Sequence, residues 1–147
     1  MKILMINGSP HRMQGLTSII ATPFIEGLQE EGAEIEILNL VDYKIHYCKG
    51  CTACWLKTPG KCVQKDDMVK ILPKLKNIDI EIIMTPVYCD GVTGQMKTFM
   101  DRTLPLVYPF VELDEQGRCR HPKREGVVTG KLVLISSCAW YSMKNFE

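Results

Sequence analysis

The chain of 147 residues has no apolar run near the length of a membrane span, which takes about eighteen consecutive apolar residues. It has no long basic run either, and its 18 basic and 17 acidic residues nearly cancel. Neither nucleic acid nor a membrane surface is therefore an expected partner. A secretory signal is missing too: MKILMINGSP passes from one lysine into a short apolar run stopped at Asn7-Gly8, which reads as a strand and turn. The expected compartment is the reducing cytoplasm, where structural disulfides are disfavoured. There are no internal repeats, low-complexity segments or linkers, and the length suits one domain with a real core. The three histidines, His11, His46 and His121, are scattered and form no spaced metal pair.

Cysteine, by contrast, is plentiful: seven residues, an odd number that cannot all pair. Four of them fall within fifteen residues, Cys48, Cys51, Cys54 and Cys62, spaced C-x2-C-x2-C-x7-C. Thiols at every third position can wrap one compact inorganic centre, as the C-x2-C-x2-C run of bacterial ferredoxins wraps a cubane cluster. Structural zinc sites more often use two C-x2-C pairs about a dozen or more residues apart, and the gap here is shorter. Spacing alone leaves three readings: an iron–sulfur cluster, inert or redox-active thiols, and zinc. Lys49, Lys57, Lys61 and Lys65 around this loop read first as solvated surface charge, and second as an offset to a thiolate-bound cluster. Cys89 and Cys138 read as small apolar fillers at strand ends.

Strand and helix patterns alternate along the chain. Residues 2–6 form a short apolar run ending at Asn-Gly, a buried strand. Residues 17–31 are helical in pattern, with Ile20, Phe24 and Leu28 four apart, Ile25 beside them and Gly32 as a stop. Pro23 predicts a kink or a delayed start there. Residues 33–40 alternate Glu34 and Glu36 with Ile35 and Ile37, as on an edge strand with one wet face. A second helix is expected over 66–76, with Asp66 and Asp67 at its positive end, a strand over 79–85, and a third helix over 93–104. Within 105–130, residues 110–113 and 118–121 flank Asp114-Glu115-Gln116-Gly117 as an inserted hairpin. Residues 131–136 are a fourth strand. This order implies an α/β fold, a doubly wound parallel sheet with helices on both faces. A five-stranded sheet of that kind needs one further strand and helix after residue 136, and these are expected to be missing because the chain stops at Glu147.

In such sheets ligands sit beyond the carboxyl ends of the strands, where strand order reverses. The first loop there, residues 8–18, joins glycines and hydroxyls to a helix start. That suits a phosphate, with Ser9, Thr17 and Ser18 as hydroxyls and Arg12 as counter-charge. It is neither a Walker A loop nor a G-x-G-x-x-G loop. The second, residues 85–95, offers proline, an aromatic and glycines along which a flat ring could lie. The third, Ser136-Ser137-Cys138-Ala139-Trp140, is short and polar. Each alone reads as a plain turn; their convergence on one sheet edge makes the case. Lys97 and Asp101, four apart on a helix, read as an ion pair.

These residues resemble the flavodoxin-like NAD(P)H-dependent FMN reductases, and within them the iron–sulfur flavoproteins. The resemblance covers nearly the whole chain. It rests on Gly8-Ser9-Pro10 with Gly15 and Thr17, on CKGCTACWLKTPGKCVQKDDM, on TPVYCDGVTGQMKTFMDR, and on LISS. It implies FMN, with its phosphate at Ser9, Arg12, Gly15, Thr17 and Ser18, and its ring near Pro86, Val87, Tyr88, Gly91 and Ser137. It implies a 4Fe–4S cluster on Cys48, Cys51, Cys54 and Cys62, and NAD(P)H as electron donor. It further implies a small-molecule acceptor or electron-carrier protein, a homodimer or homotetramer, and no side chain acting as general acid or base. The longer gap before Cys62 departs from the pattern. Two other functions stay open: a cluster-free NAD(P)H-dependent FMN or quinone reductase, and a non-enzymatic redox-sensing or zinc-binding protein.

Overall fold

The computed structural model describes residues 1–127 and 131–137. Four parallel strands form its sheet: β1 (Lys2–Asn7), β2 (Glu34–Asn39), β3 (Ile80–Pro86) and β6 (Lys131–Ser137), in the order β2-β1-β3-β6. β1 lies between β2 and β3 and is covered on both faces, which is why its pattern is a continuous apolar run. β2 is the edge strand its alternation predicts, with Glu34 and Glu36 exposed. Strand order reverses between β1 and β3, so their following loops diverge to opposite faces and leave a crevice.

One face packs under helix α1 (Leu16–Glu30), where Ile3, Met5, Ile82, Met84 and Ile135 meet Ala21 and Ile25. The other packs under α3 (Met68–Ile71) and α4 (Gly94–Asp101), where Leu4, Ile6 and Ile83 meet Met68, Ile71, Met96 and Phe99. Between β2 and α3 lies the cysteine loop, with its one-turn helix α2 (Ala53–Leu56). A two-stranded antiparallel hairpin, β4 (Glu112–Leu113) and β5 (Cys119–Arg120), projects where the turn residues 114–117 predict it.

Three expectations are corrected. α1 continues through Pro23 without interruption. Pro23 faces solvent, where water can satisfy the carbonyl its missing N–H leaves free. The buried stripe of α1 is Thr17, Ser18, Ala21 and Ile25, with Leu28 packed against the same core, while Ile20 and Phe24 are exposed; the small Thr17, Ser18 and Ala21 let the start of the helix approach the sheet. The helix expected over 66–76 is one α-turn followed by a 3-10 turn over Leu72–Leu75, in which Pro73 denies an amide to the helical ladder. The expected absence of a further strand and helix concerns residues after 137, which, with Cys138 and Trp140 of the third loop, lie outside the described residues.

Candidate flavin and cysteine sites

The loops after β1 and β3 and the end of β6 open onto one cavity of about 790 Å³, within the roughly 300–1,000 Å³ usual for small-molecule sites. Ser9, Gly15, Thr17, Ser18, Pro86, Val87, Tyr88 and Ser137 line it, as do His11, Met13, Gln14, Leu16, Ile19 and Cys89. Eight of the ten residues expected at a flavin are therefore brought together.

Buried polar groups next to this cavity hold its loops. Asn7, buried at the end of β1, accepts the Ser9 amide at 2.9 Å and donates to Asn39 Oδ1 at 2.9 Å. Gly8 sits where α4 arrives: Thr93 donates its hydroxyl to the Gly8 carbonyl at 2.8 Å, and the same oxygen caps α4 by accepting the Met96 amide. A Cβ at Gly8 would lie 2.9 Å from Met96 Cβ, so no side chain fits. Gly15 precedes α1 without a side-chain cap. The positive end of the helix and its first amides thus face the cavity mouth, a favourable place for an anion.

Arg12 does not line the cavity. Its guanidinium pairs with Asp42 on the surface, which raises the arginine and lowers the carboxyl from their usual values. Gly91, within the second loop, does not line the cavity. Its amide and carbonyl exchange hydrogen bonds with those of Tyr88 at 3.1 and 2.9 Å, closing a turn whose central residues, Cys89 and Asp90, have φ of 47° and 60°. That left-handed pair is the geometry of a type I′ turn. Aspartate tolerates it and cysteine rarely adopts it, so the turn holds strain at a site wall.

The four clustered cysteines, Cys48, Cys51, Cys54 and Cys62, are free and line a second cavity with Trp55, Arg102 and Leu104. The seven-residue gap before Cys62 folds back on itself. Thr58 and Gly60 donate their amides to the carbonyls of Ala53 and Cys54, at 2.8 and 2.9 Å, and Lys61 donates to Thr58. Trp55 pins the loop by donating its indole N–H to the Leu104 carbonyl at 3.0 Å. Burial pushes the Cys54 thiol above its ordinary value, and the nearby Cys62, Cys48 and Cys51 push it further. Among the described residues no three His, Cys, Asp or Glu side chains are grouped as around a single metal ion. Four thiols lining one cavity are the donor type that iron–sulfur centres use.

Beneath this loop lies a residue the sequence patterns did not single out. Arg102, 1% exposed, forks onto the fully buried carboxylate of Asp66, with Nη1 2.6 Å from Oδ2 and Nη2 3.0 Å from Oδ1. Burial raises the Asp66 pKa, but the Arg102 hydrogen bonds and the amides of His46 and Met68 outweigh it and hold the carboxyl low. For Arg102 burial works against the charge, and Asp66 and Cys62 more than restore it. The available signal was Arg102 falling three residues after Phe99, which is itself three after Met96, on the apolar stripe of α4. The Lys97–Asp101 pair is present on the exposed face, as expected.

The sequence model of the NADPH-dependent FMN reductases matches residues 1–140. An iron-sulfur flavoprotein of Methanocaldococcus jannaschii is 42% identical over 110 residues, 75% of this chain and 55% of that protein. Another, of Archaeoglobus fulgidus, is 45% identical over 103 residues, 70% of this chain and 49% of that protein. The chain thus spans about half the length of the curated relatives it matches. Among solved structures, the NAD(P)H:quinone oxidoreductase from Methanothermobacter marburgensis superposes with a TM-score of 0.70 at 16% identity, over 99% of this chain and 70% of that one. An FMN-dependent NADH-azoreductase from Bacillus anthracis, in complex with FMN, gives 0.65 at 18% identity, over 98% and 72%. These establish the flavodoxin-like α/β fold.

Proposed function

The chain belongs to the NADPH-dependent FMN reductase family, and on that premise we propose that it is an FMN-dependent oxidoreductase passing electrons between NAD(P)H or a carrier, FMN and a 4Fe–4S cluster. The observation that carries this reading is the pairing of two cavities in one chain: one walled by three carboxyl-end loops, and one lined by four free thiols. When bound, a flavin takes up two electrons as hydride and a cluster passes them one at a time.

The chain's own residues bind and orient. Ser9, Thr17, Ser18 and the first amides of α1 would hold the phosphate; Arg12, engaged by Asp42, is left out of that role. Pro86, Val87 and Tyr88 would lie along the ring, with Ser137 at its edge and Gly91 fixing the Tyr88 turn. Cys48, Cys51, Cys54 and Cys62 would bind iron. α4 links the two sites: Thr93 at its start holds the first loop, and Arg102 just past its end touches Cys62. At about 1.5 Å per residue its eight residues span about 12 Å. No side chain is assigned as general acid or base. The whole is read as one flavin-binding unit that associates into a homodimer or homotetramer, supported by the exposed Leu16, Ile19, Ile20 and Phe24 of α1. The electron acceptor is a small molecule or a carrier protein.

An absorption spectrum of anaerobically purified protein, with iron, zinc and sulfide analysis, tests this. Flavin bands with broad brown absorption, iron and sulfide are the expected result. Flavin without iron reduces the reading to a cluster-free FMN or quinone reductase, and zinc without flavin overturns it.

A further inference from the structure

Arg102 reaches both stems of the cysteine loop with one guanidinium. Nη1 donates to the His46 carbonyl at 2.6 Å, two residues before Cys48, as well as to Asp66. Nη2 donates to Asp66 and to Cys62 Sγ at 3.4 Å. Nε is buried and finds no acceptor among the described residues. A residue that merely clamped the loop would need only His46 and Asp66. The remaining bond goes to the sulfur of an expected ligand, and it comes from a buried cation. Lys49, Lys57, Lys61 and Lys65 are all exposed, where water screens their charge.

We propose that Arg102 is a positioning residue for the four-cysteine site: it fixes Cys62 in place as a ligand and favours the more reduced state of the cluster held there. This rests on the cluster reading above and adds a residue from outside the cysteine motif. A cluster on four thiolates is an anion that gains a further negative charge on reduction. A buried guanidinium donating to one of the sulfurs stabilises that added charge, and hydrogen bonds to sulfur are among the levers that set cluster potentials.

The test uses the full chain, reconstituted anaerobically with ferrous iron and sulfide, with iron content and midpoint potential measured in an EPR-monitored titration. Arg102→Lys keeps a charge for Asp66 but lacks the fork that also reaches Cys62. Iron retained, a lower midpoint potential and shifted iron–sulfur stretching bands in the Raman spectrum are expected. The double variant Asp66→Asn/Arg102→Gln removes both buried charges together and guards against misfolding of the single one. Iron lost from the folded double variant, with circular dichroism and FMN affinity unchanged, also supports the role. Potential and Raman bands unchanged in both variants, with iron present, overturn this inference alone. Wild-type protein that takes up no iron overturns the cluster reading and this inference with it.

Discussion

Thr17 Oγ1 and Ser137 Oγ stand 2.7 Å apart although 120 residues separate them in the chain. The pair joins the first turn of α1 to the end of β6 and closes the wall of the larger cavity. Thr17 is 2% exposed, so valine can replace it in shape while leaving Ser137 without its partner. Thr17→Val is expected to cost ~1 kcal/mol of stability and to weaken FMN binding several-fold, read by quenching of flavin fluorescence. An unchanged dissociation constant would remove this pair from the flavin site.

The first loop has little room. A Cβ at Gly15 would lie 3.0 Å from Ser9 Oγ and 3.4 Å from His11 Cβ. Gly15→Ala should push Ser9 from its position and weaken FMN binding about tenfold. Gly27→Ala, on the exposed side of α1 with nothing within 4 Å, should leave affinity unaltered and raise stability by ~0.5–1 kcal/mol. Parallel titrations and melts of the two variants separate site geometry from helix propensity.

Two ion pairs in the chain should differ sharply in worth. Asp66→Ala leaves Arg102 buried and uncompensated, at an expected cost of ~3–5 kcal/mol. Asp101→Ala breaks the exposed pair with Lys97, worth only ~0.3–0.5 kcal/mol. Urea denaturation of the two variants measures both. A loss below 1 kcal/mol for Asp66→Ala would mean that water reaches the Arg102 site.

Glu81 sits in β3 opposite Leu132, and burial raises its carboxyl pKa while Lys123 partly opposes the rise. A raised acid favours folding while protonated. Its contribution is complete below the usual value of 4.5 and is lost as pH climbs through the raised one. Glu81→Gln should therefore melt higher than wild type at neutral pH, with the gap closing as pH falls through the raised value to the usual 4.5. A gap that is constant with pH would show the carboxyl to be solvated.

If the four thiols hold one centre, Cys54→Ser should lose iron and sulfide yet keep the flavin bands, because the two cavities share no residues. Cys119→Ser, in the exposed hairpin, should change neither. Iron unchanged in Cys54→Ser would show that these cysteines do not carry it.

Local chemistry made much of this molecule legible in the sequence. The apolar run of β1, the alternation of β2, the turn residues 114–117 and the cysteine spacing each act over a few residues. So do the glycines and hydroxyls of the first loop, and their expected places stand in the structure. Less legible was which stripe of α1 faces the sheet. Both Ile20-Phe24 and Ala21-Ile25 repeat at helical spacing, and only the packed sheet selects the pair that begins with the small Ala21.

The sequence by itself determined the elements, their order and the two sets of candidate groups, because periodicity, turn chemistry and metal-ligand spacing are short-range properties. Tertiary structure alone decided which charges lie beside those candidate groups. Arg12, in the glycine-rich loop, turns away to Asp42 on the surface. Arg102, which closes a helix far along the chain, is folded beneath the cysteines onto Asp66 and Cys62. A guanidinium's partner depends on which carboxylate and which sulfur the packed sheet and helices bring within hydrogen-bond reach, and no spacing in the chain encodes that.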